Sequence, residues 1–262
     1  MGGTSRPGPA SRSGQNWTAS HYDRHARFVS HLGDTIFRWL DPKPGERILD
    51  LGCGDGHLTM RILEAGAKVV GVDSSEDMLD SARERGLDVR AMDGEALTFE
   101  REFDAVFSNA ALHWMQRPER VVDGVRRALH GGGRFVAEFG GHGNVASIVT
   151  AMHSAARQFG GDARHAGPWY FPTTKQYAAL LREAGFEVER IELVPRQTPL
   201  PTGMEGWLQT FRKPFFDQFD ELTRKLVIEH VCDVLRPSLC DHEGNWTADY
   251  VRLRVAAHLT RD

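Results

Sequence analysis

The amino-acid sequence predicts an α/β protein built on a doubly wound, mostly parallel sheet, with a helical insertion before its last strand. Three observations carry that prediction. From Arg47 to Val194 short apolar runs alternate with segments of helical period. Those runs are nearly continuous in apolar residues, as strands covered on both faces must be. The first of them, RILDL, breaks at once into a turn with three alternating glycines, Gly52, Gly54 and Gly56. In such sheets a glycine turn of this kind joins the first strand to its helix.

The elements follow in chain order. Residues 1–15, MGGTSRPGPASRSGQ, are rich in Gly, Ser, Pro and Arg. With so little to bury they cannot offset their ordering entropy, and disorder is expected. Residues 16–262 are expected to form one domain, with a ligand-binding core over about 41–195. From Trp17 to Leu40 apolar residues recur at three- and four-residue steps, among them Tyr22, Phe28, Leu32, Ile36 and Leu40. The pattern predicts a helix that Pro42 and Pro44 stop, because proline removes a donor and disfavours the helical conformation before it. RILDLG then reads as a strand, HLTMRILEAG as a helix closed by Gly66, and AKVVGVD as a strand. SEDMLDSARERG is a helix that Ser75 or Ser74 caps and Gly86 ends. LDVRAMD and FDAVFSN read as strands, PERVVDGVRRALH as a helix opened by proline, and GGRFVAEFG as a strand. A helix from about Asn144 to Phe159, a turn-rich passage through AGPWYFP, the helix TTKQYAALLREAG and the strand FEVERIELV come next. Pro195, Pro199 and Pro201 predict an irregular link. Residues 203–239 read as two or three aromatic-rich helices, the insertion. WTADYVRLRVAAHL, 246–259, returns to period-two alternation at its centre and predicts a seventh strand, antiparallel to the rest.

Composition narrows the partners. The chain has 262 residues, 40% hydrophobic and 26% charged, with a net charge of −4. That balance gives no electrostatic case for nucleic acid or an anionic membrane. Cys53, Cys232 and Cys240 form no CxxC pair or metal spacing, which fits a reducing compartment. His21 and His25 flank Tyr22 without a carboxylate or cysteine at ligand spacing, so no metal is expected. No apolar run approaches the length of a membrane span, and the N-terminus lacks the apolar core of a signal peptide. The expectation is a soluble cytoplasmic protein.

The glycine turn points to a ligand. Dinucleotide sites use G-x-G-x-x-G, whereas the spacing here is G-x-G-x-G with Asp50 just upstream. A carboxylate at that opening repels phosphate and suits an ammonium or sulfonium group. Asp73, ending the next strand, can accept hydrogen bonds from both hydroxyls of a ribose. Asp93, after the third strand, can accept from the exocyclic amine of adenine. Adenine, ribose and a cationic amino-acid tail together describe S-adenosylmethionine.

At these residues the chain resembles the class I methyltransferases that use S-adenosylmethionine. DLGCGDG at 50–56, GVDSSEDML at 71–79, MDGEAL at 92–97, SNAALHWM at 108–115 and ALHGGGRF at 128–135 arrive in that family's order. The likeness runs from about residue 20 to residue 195. It implies a Rossmann-like seven-stranded sheet with an N-terminal helix whose Tyr22 folds over the cofactor. It further implies that Asp50, Gly52, Cys53, Gly54 and Gly56 border the methionine part; Cys53, lying inside the glycine turn, reads as packing and not as nucleophile. Asp73 would hold the ribose, and Ser74 or Met78 would pack near the adenine. Asp93 would face the adenine amine, flanked by Met92 and Gly94, and Asn109 would meet the amino end through its backbone.

The acceptor side is read from SNAALHWM. It lacks the prolines and aromatic of the [DNS]PP[YFW] segment that DNA amino-methyltransferases carry there, so nucleic acid is not the expected substrate. It is similar to the SNA-x-x-x-W segment of the trans-aconitate and juvenile hormone acid methyltransferases, which esterify small carboxylic acids. That likeness implies His113 as a hydrogen-bond donor or base and Trp114 as a pocket wall. The alternative makes His113 a turn cap and Trp114 core. Trp207, one turn before Phe211, is a candidate roof for an apolar pocket, and His142 in FGGHGNV a candidate rim. No motif fixes an arginine as a carboxylate anchor. The expected function is methyl transfer to a small molecule, O-methylation of a carboxylate foremost. A cofactor-binding protein without transfer activity, or a protein-directed methyltransferase, are the alternatives.

Overall fold

The computed structural model describes residues 34–261. Helix α1 (Asp34–Leu40) is the described part of the helix expected from Trp17; Tyr22 lies outside the described residues. Strand and helix then alternate as expected: β1 (Arg47–Leu51), α2 (His57–Glu64), β2 (Lys68–Asp73), α3 (Glu76–Glu84) and β3 (Val89–Ala91). They continue with β4 (Phe103–Asn109), α4 (Pro118–Ala128), β5 (Leu129–Gly140), α5 (Ala146–Phe159), α6 (Thr174–Glu183) and β6 (Phe186–Pro199). Three helices, α7 (Gly203–Phe211), α8 (Lys213–Phe216) and α9 (Glu221–Leu239), precede the last strand, β7 (Thr247–Leu259).

The seven strands form one sheet in the order β3-β2-β1-β4-β5-β7-β6. β7 runs antiparallel to both of its neighbours, and the remaining pairs are parallel. Successive strand residues point to opposite faces, and both faces are covered. Ile48 of β1 packs with Ile36, Leu40, Leu58 and Ile62 on one side. Its neighbours Leu49 and Leu51 pack with Val121, Val125, Phe135 and Tyr177 on the other. This double burial is why the strands read as continuous apolar runs. The helical insertion builds a core of its own: Met204, Trp207, Leu208, Phe215, Val227 and Val231 pack on Ile148 and Met152 of α5 and on Tyr250 of β7.

Two expectations need correction. Pro195 and Pro199 do not lie in an irregular link; β6 continues through both, in register with Val251 and Thr247. β7 inserts between β5 and β6, which leaves β6 at the sheet edge, where one row of N–H groups has no partner strand. The two prolines share one parity along the strand, so both missing donors fall on the same outer side. LDVRAMD yields a strand of only 3 residues; Met92 N–H makes the last bond of the β2–β3 ladder, to the carbonyl of Asp73, and the chain then leaves the sheet. Short edge strands resist pairing with other chains.

Candidate functional site

The chain winds outward from β1 through β2 to β3, then crosses back to β4 and β5. Ligands in such sheets settle beyond the carboxyl ends of the strands at that reversal. The glycine turn after β1 and the segment after β4 therefore face each other.

The turn is tied to β2. The N–H groups of Gly52 and Cys53 both donate to the carbonyl of Val72, at 2.8 and 3.0 Å. Gly52, Gly54 and Gly56 all adopt positive φ, 76°, 56° and 81°, which L side chains disfavour. Space adds a second demand at two of them. A Cβ on Gly52 would lie 2.2 Å from Cβ of Ala111, and one on Gly56 2.3 Å from Cδ1 of Leu87. At Gly54 the nearest atom would be Cε of Met78, at an ordinary 3.5 Å. The protein's own packing thus demands glycine at 52 and 56, and only at 54 does the turn present a bare face.

Asp73 fixes that bare face. Its Oδ2 accepts from Gly54 N–H at 3.0 Å and its Oδ1 from Ser75 N–H at 2.9 Å. Burial raises its pKa, while these backbone donors oppose the rise. Asp50 is only 2% exposed, and its Oδ2 accepts from the hydroxyl of Thr59 at 2.6 Å. Burial pushes its carboxyl up to about 7, the Thr59 bond pulls it back, and the charge of Asp73 raises it further. Asp50 is therefore a buried partner of α2, not a carboxylate standing open at the mouth of the turn. Burial, joined by the charges of Asp50 and Asp73, holds the Cys53 thiol well above its ordinary range. A thiol held protonated is no nucleophile.

Of the two serines it is Ser75 that caps α3, accepting from Met78 N–H at 3.4 Å; Ser74 is exposed and Met78 buried. Asp93 uses Oδ1 to accept from Glu95 N–H at 2.9 Å, and the residue is exposed. Gly94 is required by packing, since a Cβ there would meet Cε of Met115 at 2.5 Å. Glu95, which sequence reasoning did not single out, is buried. It accepts from the N–H groups of Gln116 and Arg117 and from Nε of Arg117, at 2.6, 3.0 and 2.6 Å. It thereby joins the loop after β3 to the loop after β4.

At the end of β4 the Ser108 hydroxyl donates to the carbonyl of Leu51 at 2.7 Å, locking the two strand ends together. Asn109 follows, its Oδ1 buried and accepting from no described group. Ala110 sits at φ 58°, a left-handed conformation that alanine rarely takes, and its N–H bonds to Glu138 O at 2.7 Å. Such strain clusters at functional sites.

His113 is 7% exposed, and its Nδ1 accepts from Gly140 N–H at 3.3 Å. With that lone pair engaged, the neutral ring carries its proton on Nε2. Burial first, and the charge of Arg252 second, hold its pKa well below the ordinary value, so the ring is neutral. His113 opens a run of aromatic contacts: its ring centroid is 5.4 Å from that of Trp114, and Trp114 is 5.5 Å from Trp169. Trp169 in turn meets Phe171 at 5.5 Å and Trp207 at 6.5 Å. Trp207 donates Nε1–H to the hydroxyl of Tyr250 at 2.7 Å. The structure thus brings His113, Trp114 and Trp207 together through Trp169, whose place in AGPWYFP gave only a turn signal. His142 is exposed, with its backbone N–H on the carbonyl of Pro172.

The arginines were not legible either. Glu138, buried at the end of β5, accepts from Arg196 Nη1 at 2.9 Å and from Arg254 Nε at 2.6 Å. Arg252 is buried with its guanidinium over the ring of Tyr250, 4.5 Å from the centroid. Among the described residues no group of three His, Cys, Asp or Glu side chains is placed to hold a metal ion.

Comparison with known proteins agrees with this geometry. A family model described as a methyltransferase domain matches residues 49–137. The chain is 39% identical to an uncharacterized methyltransferase of Schizosaccharomyces pombe over 254 residues, 92% of this chain and 97% of that relative. It is 30% identical over 179 residues to a trans-aconitate 2-methyltransferase of Rhodococcus jostii, 65% of this chain and 70% of the other. The solved structure of Haemonchus contortus phosphoethanolamine N-methyltransferase 2 with S-adenosyl-L-methionine superposes with a TM-score of 0.56 at 19% identity. It covers 88% of this chain and 53% of that one, and at that identity the likeness is one of fold.

Proposed function

This chain belongs to the class I S-adenosylmethionine-dependent methyltransferases, and we propose that it transfers a methyl group from that cofactor to a small-molecule acceptor, with O-methylation of a carboxylate the favoured form. The observation that carries the proposal is the meeting, beyond β1, β2 and β4, of a bare glycine face, the anchored carboxylate of Asp73 and the unsatisfied Oδ1 of Asn109.

These residues fit the cofactor. A buried acceptor left without a donor costs roughly 1–3 kcal/mol, and an ammonium group supplies the donor that Asn109 lacks. The charge of Asp73 favours a cation and opposes a pyrophosphate. Asp73 would accept from the ribose hydroxyls, and Asp93 from the adenine amine. Ser74, Met78 and Met92 would flank the adenine. When bound, the cofactor supplies a methyl group made electrophilic by its sulfonium.

The protein has then to orient the acceptor and exclude water. Trp114 and Trp169 would wall the pocket against solvent. His113, neutral and with its proton on Nε2, is suited to donate a hydrogen bond to an acceptor oxygen, and less suited to remove a proton. A carboxylate acceptor needs no base, and the donor role agrees with it. The similarity to a trans-aconitate methyltransferase points the same way. The proposal includes one domain over 16–262 acting in the cytoplasm, without nucleic acid or membrane as partner.

Titration calorimetry with S-adenosylhomocysteine, followed by transfer of a labelled methyl group across a panel of carboxylic acids, alcohols and amines, tests this. Binding together with turnover is expected. His113→Ala should lower turnover by at least tenfold more than it weakens cofactor binding, since general positioning effects of this kind run to roughly 10²-fold. Tight binding of the cofactor with no transfer to any acceptor would leave a cofactor-binding protein instead. Affinity for NADH alone would remove the family chemistry.

A further inference from the structure

Arg212 joins α7 to α8 inside the helical insertion, and only 1% of it is exposed. Among the described residues no carboxylate lies against it. Its Nη1 donates to the carbonyl of Phe211 at 3.2 Å, its Nη2 donates to the carbonyl of His165, and its Nε has no partner. The guanidinium lies over Trp169, with Cζ 4.8 Å from the ring centroid. Burial lowers its pKa to about 10, so the group is still cationic at neutral pH. Buried charges in folded proteins are normally paired, because an uncompensated one is strongly destabilising. Glu138 shows the ordinary solution in this same fold, with two arginines on one carboxylate. Arg212 has no such partner among the described residues.

Its position says what the partner is. Trp169, on which it stacks, touches Trp114 and Trp207, and Trp114 touches His113. The guanidinium thus lies directly behind Trp169, one of the two proposed walls of the acceptor pocket. Of its five N–H donors two are spent on backbone carbonyls, which leaves Nε–H and one N–H on each terminal nitrogen. Two of these suffice for the paired, parallel hydrogen bonds that a carboxylate accepts from one edge of the fork. We propose that Arg212 is a specificity-determining residue that binds an anionic group of the acceptor, a carboxylate remote from the atom that is methylated. The inference rests on the reading of this site as a small-molecule methyltransferase and names the acceptor class: acids with a second, distal carboxylate. Because the guanidinium is covered, the anion enters as α7 and α8 part from residues 163–171, which the His165 contact and the Trp169 stack now hold together.

The test compares glutarate with its monomethyl ester and with valerate as acceptors, in wild type, Arg212→Met and Arg212→Lys. Wild type should favour glutarate over either monoanion by roughly 10- to 100-fold in kcat/KM, the range of a charge-assisted bidentate contact. Arg212→Met should erase that preference, chiefly through KM, while S-adenosylhomocysteine binds within about twofold of wild type. Arg212→Lys, which keeps the charge and loses the fork, should restore part of it. A wild type without preference overturns the proposal, and so does an Arg212→Met protein that loses diacid and monoacid turnover in equal measure, the mark of a structural strut. If no acid is methylated, calorimetry of glutarate on protein saturated with S-adenosylhomocysteine decides: heat that Arg212→Met abolishes supports the receptor, and no heat from wild type refutes it. Transfer to neutral acceptors with no anion preference would sink this proposal and leave the broader function standing.

Discussion

Adding a methyl group to Gly52 and to Gly54 in turn separates two reasons for a glycine in the same turn. At Gly52 the new Cβ would stand 2.2 Å from Cβ of Ala111. Carbon atoms in contact prefer about 3.5–4.0 Å, so the chain must move by more than 1 Å. Such overpacking costs about 1–3 kcal/mol. The residue also holds φ at 76°, and an alanine there adds about 1–2 kcal/mol of left-handed strain. The combined loss of about 2–5 kcal/mol should lower Tm by about 5–20 °C in a chain of this size. At Gly54 the strain recurs at φ 56°, but the nearest atom is 3.5 Å away. Gly54→Ala should therefore lose only about 1–2 kcal/mol of stability. Its methyl group covers the bare face, so affinity for S-adenosylhomocysteine should fall further than stability does. Calorimetric unfolding and titration of the same samples measure both quantities. A double variant provides the internal control: Ala111→Gly removes the opposing Cβ and should return about 1–3 kcal/mol to Gly52→Ala. If Ala111→Gly rescues nothing, or if Gly54→Ala is the less stable of the two single variants, the assignment of packing to Gly52 and ligand to Gly54 is wrong.

Two further outcomes concern the carboxylates. Asp50 has a folded pKa of about 7 against an unfolded value near 3.9, so the folded state takes up its proton first. Its contribution to stability is complete below about pH 4 and is lost as pH rises through about 7. Asp50→Asn, which keeps an acceptor for Thr59, should be more stable than wild type at pH 8, by up to about 4 kcal/mol, and should lose that advantage at pH 4. Urea unfolding of both proteins across that range checks it, and a pH-independent difference would contradict the burial of an ionised Asp50. Asp73→Asn should weaken S-adenosylhomocysteine by roughly 10- to 100-fold, the loss of about 1.5–3 kcal/mol from a charged acceptor, and unchanged affinity in titration would take Asp73 out of the site.

The two halves of the site differ in how much of them the sequence discloses, and the reason is where their constraints act. The proposed cofactor half is local. Gly52, Gly54 and Gly56 are dictated by positive φ within one turn, and Asp73 and Asn109 by their places at strand ends. Such constraints are met by residue types at short spacings and so can be read from the chain directly. The prolines of β6 failed for the opposite reason. Whether Pro195 and Pro199 break a strand depends on whether that strand is central or at the edge, and the insertion of β7 between β5 and β6 settles it from far along the chain. The acceptor half has the same character. Trp169 sat in a turn-rich passage, and Arg212, between Phe211 and Lys213, resembles any solvated basic residue beside an amphipathic helix. Periodicity reports which apolar residues share a face; it is silent on which charged ones are carried inside with them. Recognition of an acceptor by a buried charge must come from such long-range meetings, because a guanidinium is desolvated only by the segments that close over it. The acceptor chemistry proposed for Arg212 therefore rests on burial with no carboxylate against it among the described residues, a property that belongs to no segment of the sequence taken alone.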